Sequence, residues 1–318
     1  MLRYSIAVAS LAAALATSAV LAQPAVVRTA DPIKRGLALS NFPRTIKITD
    51  NVYTYEDFHA GPEKFTTTNM FVVTDEGVLV ADGQGSAPET KGLVDAIAKV
   101  TRQPIKYVVI ASDHGDHTAG NASFPAGVSY IIHPTSKAIL DKAADAAVMA
   151  GRQPAWNLPA NAMLVSDRYS LTLGKETIDV LFLGRAHTGG DLAVSLPRQK
   201  ILFLSEIFLN RVFPAMRSAY PSDWVKTLDR AAALKPDIYI AGHGFTEDGP
   251  VSREEFRAYQ NALKAVIAEA TRLHNAGVPV EEAVKKANWG EYGSWTLSSS
   301  QGPIAVRKVY EELNGQLK

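Results

Sequence analysis

Two histidines and two aspartates fall within the stretch Asp113-His114-Gly115-Asp116-His117, directly after the apolar run Tyr107-Val108-Val109-Ile110. Imidazole nitrogens and carboxylate oxygens are the donors that zinc and related divalent ions accept, and a loop lets closely spaced donors converge on one small volume. Further along, His187 stands in Gly184-Arg185-Ala186-His187-Thr188-Gly189-Gly190-Asp191, Glu206 follows Leu202-Phe203-Leu204-Ser205, and His243 stands in Ala241-Gly242-His243-Gly244. Each lies past an apolar run, and the glycines let the backbone turn tightly and approach closely. The chain has seven histidines, so glycine-bracketed histidines at three strand ends form a specific pattern. It points to one metal site built from His114, Asp116, His117, His187, Glu206 and His243. A metal lowers the pKa of a bound water to about 7 and so supplies hydroxide at neutral pH. Asp116 is placed to orient that water or to take its proton.

These residues need strands to carry them. Period-two and apolar runs predict strands at 46–49, 52–55, 69–74, 77–81, 105–111 and 128–132, then at 169–173, 178–183, 192–196, 201–204 and 237–241. Helical spacing predicts helices at 88–101, 135–150, about 222–234, 280–288 and 304–317. Ser222 reads as a helix cap, and Ser252-Arg253-Glu254-Glu255 reads as a capping box opening a further long helix. Two groups of strands with interspersed helices and a helical tail predict an α+β fold. It is a four-layer αββα sandwich in one domain over 46–318, preceded by a loosely packed arm at 23–45.

The run from Ala111 to Asn121 resembles the His-x-His-x-Asp-His signature of the metallo-β-lactamase superfamily. The order of the other pieces is also similar: a strand ending at Asp82, Ala-His-Thr-Gly-Gly-Asp at His187, a Leu-Phe-Leu strand before an acidic residue, and Gly-His-Gly at His243. The resemblance covers roughly residues 52–245. It implies the αββα fold, a site in the cleft between the sheets, and usually hydrolysis of β-lactams, lactones, thioesters, or sulfate and phosphate esters. Some members do redox or other non-hydrolytic chemistry, so the fold does not fix the substrate.

Carried over residue by residue, the resemblance implies two metal sites. The first would take two early histidines and His187, but Ser112 replaces the first of them, leaving His114 and His187. The second would take Asp116, His117 and His243 with a bridging acid, and Glu206 stands where aspartate is usual. The expectation is one tightly bound zinc, with the second site weak or empty; iron and manganese would accept the same donors. Asp82 is expected to support the site without binding metal. Ser112 or Asp113 is expected to hydrogen-bond the nucleophile. Arg185 is placed for a substrate carboxylate or a local salt bridge. The run 210–217, with Arg211 and Arg217, either lines the cleft for an anionic, partly apolar substrate or packs as an ordinary loop. His59 reads as an exposed loop histidine, and Trp156, in its Pro-flanked loop, as a lid candidate.

Composition narrows the setting. Residues 1–22 carry one charge, Arg3, then an apolar Ala-rich run ending in Val20-Leu21-Ala22. This reads as a cleaved signal peptide, which directs the chain to the periplasm or the medium with no stable membrane insertion afterwards. The formal net charge is +1, and loss of Arg3 brings it to zero, so no basic excess points to nucleic acid. Without cysteine there are no disulfides, and a metal must be held by His, Asp, Glu or water. The expected protein is an exported zinc hydrolase whose metal-bound hydroxide attacks a cyclic or ester-like small molecule, of β-lactam or lactone type. The alternative is a metal-impaired member that acts as a binding protein or in non-hydrolytic chemistry.

Overall fold

The computed structural model describes residues 27–59, 64–152, 154 and 162–317. The expected signal peptide and Trp156 lie outside them. Seven strands form one sheet in chain order: β1 (Arg44–Lys47), β2 (Val52–Phe58), β3 (Thr66–Thr74), β4 (Gly77–Ala81), β5 (Ile105–Ile110), β6 (Ser129–Ile132) and β7 (Met163–Leu164). The first four pair antiparallel and the rest parallel. A parallel step needs a crossover; α1 (Ala87–Val100) joins β4 to β5, and α3 (Pro134–Met149) lies between β6 and β7. The single turn α2 (Gly115–Thr118) follows β5. The second sheet runs β12-β11-β10-β9-β8, from β8 (Arg168–Leu173), β9 (Glu176–Leu181), β10 (Ala193–Leu196), β11 (Ile201–Phe203) and β12 (Ile238–Ile240). Its one parallel pair, β11 with β12, is bridged by α4 (Pro221–Ala233). The C-terminal part holds α5 (Gly249–Asn275), α6 (Val280–Lys286) and α7 (Ser298–Leu313).

The four expected layers are present. Met70, Leu79 and Val109 of the first sheet meet Val180, Val194, Phe203 and Ile240 of the second in one buried cluster. Behind the first sheet, Leu93 and Ile97 of α1 pack on Phe71, Val80 and Val108. Val108 and Val109 therefore serve opposite faces of one strand, and both are fully buried, which is why β5 past Lys106 reads as a continuous apolar run rather than an alternating one. Behind the second sheet, Leu202 and Tyr239 pack on Trp224, Leu228, Phe256 and Tyr259 of α4 and α5. The parallel pairs β4·β5 and β11·β12 each present C-terminal ends side by side, and the residues that follow those ends form the site.

Several boundaries move from their sequence-based positions. Helix α5 opens at Gly249, because the Asp248 side chain accepts from Val251 N–H and caps it a turn early. Ser252 then lies inside the helix, where its hydroxyl accepts from Tyr239 N–H. Glu255 serves as the buried partner of Arg28 and Arg211. Ser222 does not cap α4; its hydroxyl donates to Glu312 of α7. Helix α7 starts at Ser298, not after Pro303, and carries that proline inside it. In the N-terminal segment, Arg35 makes a two-pronged pair with Glu247 and Ala30 is fully buried.

Trp224 links this packing to the site. It is fully buried, donates from Nε1 to Ile207 C=O at 2.8 Å, and sets its ring edgewise on His187 at 5.3 Å between centroids. Trp224→Ala is expected to cost about 3–5 kcal/mol and lower Tm by roughly 10 °C in a chain of this size. Calorimetry checks this, and a shift within experimental error would contradict the packing described.

Candidate metal centre

The site begins where β4 and β5 end. Asp82 leaves β4 with φ 63°, and its Oδ1 accepts from Ala111 N–H at 2.7 Å and Ser112 N–H at 3.4 Å. Its Oδ2 accepts from Ser205 Oγ at 2.5 Å and lies 3.1 Å from His117 Nδ1. One fully buried carboxylate thus ties the two strand-end loops to the segment after β11 and holds His117 by the nitrogen facing away from the cleft. Orientation of a ligand imidazole through its other nitrogen is the usual role of such an acid. The turn α2 then sends Asp116 and His117 toward the same volume.

Two glycines hold His243 in register. A Cβ on Gly242 would stand 2.5 Å from the Ser205 carbonyl carbon, and Gly244 has φ +85° with Asn210 C=O 2.1 Å from where its Cβ would lie. His243 Nδ1 sits 3.0 Å from Thr66 C=O. A carbonyl only accepts, so Nδ1 carries a hydrogen and Nε2 is the nitrogen turned inward, able to offer its lone pair to a cation once its proton is displaced.

Two donor sets result, and Glu206 belongs to both: Asp116, His117, Glu206 and His243, and His114, His187 and Glu206. Within each set the donor atoms lie within 4.8 Å of one another. In the first, His243 Nε2 is 3.1 Å from Asp116 Oδ2, 3.3 Å from Glu206 Oε1 and 3.4 Å from His117 Nε2. In the second, His187 Nε2 is 3.1 Å from Glu206 Oε1, His114 Nδ1 is 3.0 Å from Glu206 Oε2, and the two nitrogens are 3.0 Å apart.

The charges are those of a cation site. Burial works to raise Glu206, but His114 and His187 outweigh it and hold the carboxyl well below its usual range. Asp116 is likewise held low against its burial, chiefly by His117. Burial works to lower the imidazoles, yet Glu206 and Asp116 push His114 up to about 9 and His243 up to about 10. Without a metal, protons on imidazole balance the buried carboxylates. A divalent ion supplies that charge and accepts the same nitrogens as lone-pair donors, so the donor set fits one.

All six expected ligands meet here. Ser112 is also present, fully buried, with Oγ donating to Glu206 Oε2 at 2.5 Å. Asp113 and Arg185 are not brought to the centre. Asp113 is buried beside Ser136, and burial raises its carboxyl. Arg185 pairs with Asp223 at 2.6 Å and lies over the Tyr220 ring at 4.1 Å, so its salt bridge is the local one.

His59 is where sequence reasoning fell short. It is half-buried, stacks on Phe65 at 4.6 Å and points Nε2 at Asp116 Oδ2, 3.4 Å away. Both His59 and Phe65 line a cavity of about 300 Å³ over the ligands, walled further by Leu209, Val212, Ala215 and Leu297, with Arg217, Ser300 and Gln301 at its edge. The two arginines of the 210–217 run divide their roles. Arg211 pairs with Glu255 and covers Trp295, whereas Arg217 is exposed at the cavity with no pairing partner among the described residues.

Two facing sheets, helices on their outer faces and a histidine–carboxylate cluster at the strand ends define the class: an αββα protein with a candidate metal centre. Residues 64–243 match the metallo-beta-lactamase superfamily, and the chain belongs to it. It is 25% identical over 237 residues to the 2,4-dinitroanisole O-demethylase subunit alpha of Nocardioides sp. (strain JS1661), spanning 73% of this chain and 66% of that relative, just short of two thirds. It is 22% identical over 208 residues to the metallo-beta-lactamase type 2 of Elizabethkingia meningoseptica, across 64% of this chain and 79% of that one. A solved metallo-beta-lactamase from Pontibacter korlensis shares the fold with a TM-score of 0.57 at 21% identity, over 69% of this chain and 99% of that one.

Proposed function

We propose that the protein is an exported metal-dependent hydrolase that opens a small cyclic or ester-like substrate, with zinc as the first metal to test. The observation that carries this reading is the convergence of six ligand-type side chains, five of them (His114, Asp116, His187, Glu206 and His243) lining one cavity and His117 buried directly behind it. A bound divalent ion supplies Lewis-acid polarisation and an acidified water. His117, with Nδ1 3.1 Å from the Asp82 carboxylate, and His243, with Nδ1 on Thr66 C=O, would hold one ion together with Asp116 and Glu206. Asp116 Oδ2 orients the attacking water and takes its proton. His59 Nε2, facing that oxygen from the cavity wall, passes the proton outward. Phe65, Leu209 and Val212 exclude bulk water from the reacting carbon.

The named chemistry of the two relatives, β-lactam cleavage and O-demethylation, sets the breadth of the test. Purified protein is assayed with β-lactams, acyl-lactones, aryl esters, sulfate and phosphate esters and an aryl methyl ether, with and without chelator. The expected result is turnover of at least one class that vanishes with chelator and returns with metal. Protein that retains no metal after loading and shows no chelator-sensitive turnover would overturn the proposal.

Arg217 gives a second measurement. Its guanidinium, without an ion-pair partner among the described residues, stands at the cavity with the apolar side chains of Leu209, Val212 and Ala215 and suits a substrate carrying a carboxylate beside an apolar body. Arg217→Ala is expected to raise KM for such an anionic substrate about tenfold, the worth of one charge-assisted contact, and to leave kcat and neutral substrates nearly unchanged. An equal loss on neutral and anionic substrates would remove that role.

A further inference from the structure

Ser112 and Glu206 are each a departure from the superfamily pattern, and each alone reads as a defect. They are 94 positions apart in the chain and touch in the structure. The serine is shorter than the histidine it replaces, and the glutamate is longer than the usual aspartate by one methylene. The Ser112 hydroxyl reaches Glu206 Oε2 at 2.5 Å, and the same oxygen lies 3.0 Å from His114 Nδ1. Glu206 Oε1 lies 3.1 Å from His187 Nε2 and 3.3 Å from His243 Nε2. The carboxylate therefore stands between the two donor sets, with Oε2 turned toward Ser112 and His114 and Oε1 toward His187 and His243.

We infer that Ser112 and Glu206 form one coupled device that rebuilds the first metal site as a seat of two histidines and one carboxylate, His114, His187 and Glu206. Ser112 is the positioning residue: it binds no metal and aims Glu206. The seat replaces an imidazole by a carboxylate, which makes it harder and more anionic. It suits manganese or iron(II) as well as zinc. The sharing of Glu206 makes the centre two-metal, in contrast to the single tight zinc that the sequence implies. This rests on reading the cluster as a metal centre, and the test below separates the two ideas because it counts ions instead of turnover.

The chain is stripped with chelator, loaded with Mn(II) or Zn(II), freed of excess metal and analysed for bound metal and by titration calorimetry. Mn(II)-loaded samples are also examined by electron paramagnetic resonance. Two ions per chain are expected, with an exchange-coupled Mn(II) signal from the shared carboxylate. Ser112→Ala is expected to weaken one of the two binding steps about 10–100-fold, the usual effect of removing a partner that orients a ligand, and to leave the other step unchanged. Glu206→Asp alone is expected to weaken that same step, and Ser112→His combined with Glu206→Asp to recover it. The rescue remains informative even where Ser112→Ala does not fold. One ion per chain in the unaltered protein, or a double variant no tighter than Glu206→Asp alone, would overturn the coupled seat while leaving a one-metal hydrolase intact. Protein that takes up no ion would overturn the metal reading itself.

Discussion

Replacement of His117 by alanine is expected to cut metal-dependent turnover at least about a thousandfold, or ~4 kcal/mol of transition-state stabilisation. No other side chain can take over its part. His117 is fully buried, its Nδ1 is held by Asp82, and its Nε2 faces His243 and Asp116. Alanine removes a ligand and also leaves Asp82 buried without its imidazole, so metal content should fall together with kcat. The half-buried His274 serves as a control: it contacts Asn314 and Tyr310 far along the chain from the candidate ligands, and His274→Ala should leave turnover unchanged. Steady-state kinetics with metal analysis on both variants decides the matter, and full activity in His117→Ala would refute the centre as described.

The six clustered side chains were legible in the sequence because each one advertises itself locally. An apolar run marks the strand, a glycine marks the tight turn, and a histidine or acid follows. The layered fold was legible for the same reason, since 107–110 of β5 and all of β11 are apolar and the helices keep their stripes. What could not be read was whatever depends on two distant segments meeting. Ser112 and Glu206 look like separate losses until the sheets face each other. His59 looks like a loop residue until β2 pairs with β3 and brings Phe65 beneath its ring. Leu297, Ser300 and Gln301 line the cavity only because the start of α7 abuts it, and no periodicity reports which end of a helix faces a site. The capping box failed for a local reason: Asp248 competes with Ser252 for the helix start and wins, while the Ser252 hydroxyl is used by β12.

The metal-free protein is expected to lose stability as pH rises from about 6.5 to about 9, and added metal to stabilise it increasingly over the same range. His114 and His243 have folded values raised to about 9 and about 10, against an unfolded value of 6.5. A raised value means the folded state holds the proton more tightly, so the stabilisation is complete below 6.5 and is lost as pH climbs toward the folded values. Glu206 and Asp116 have lowered values; their stabilisation is present above the ordinary carboxylate range and is lost in acid. His187 opposes the trend, since burial and its two histidine neighbours lower its value, and it subtracts stability as pH falls below 6.5. Each unit of net shift is worth about 1.4 kcal/mol. His114 and Glu206 are one ion pair and count once, so the fall in Tm of the stripped protein follows from that pair and His243, with His187 opposing it. Metal reverses the sign because it needs the unprotonated imidazoles: protons compete with it at low pH and release it from competition at high pH. Calorimetry on stripped and loaded protein at about pH 6, 7.5 and 9 reads both trends at once. A stripped Tm that stays level or rises across that range would show that these histidines do not hold their protons against the buried carboxylates. A gap between the two forms that shrinks with pH would show that the ion is not held by imidazole nitrogen.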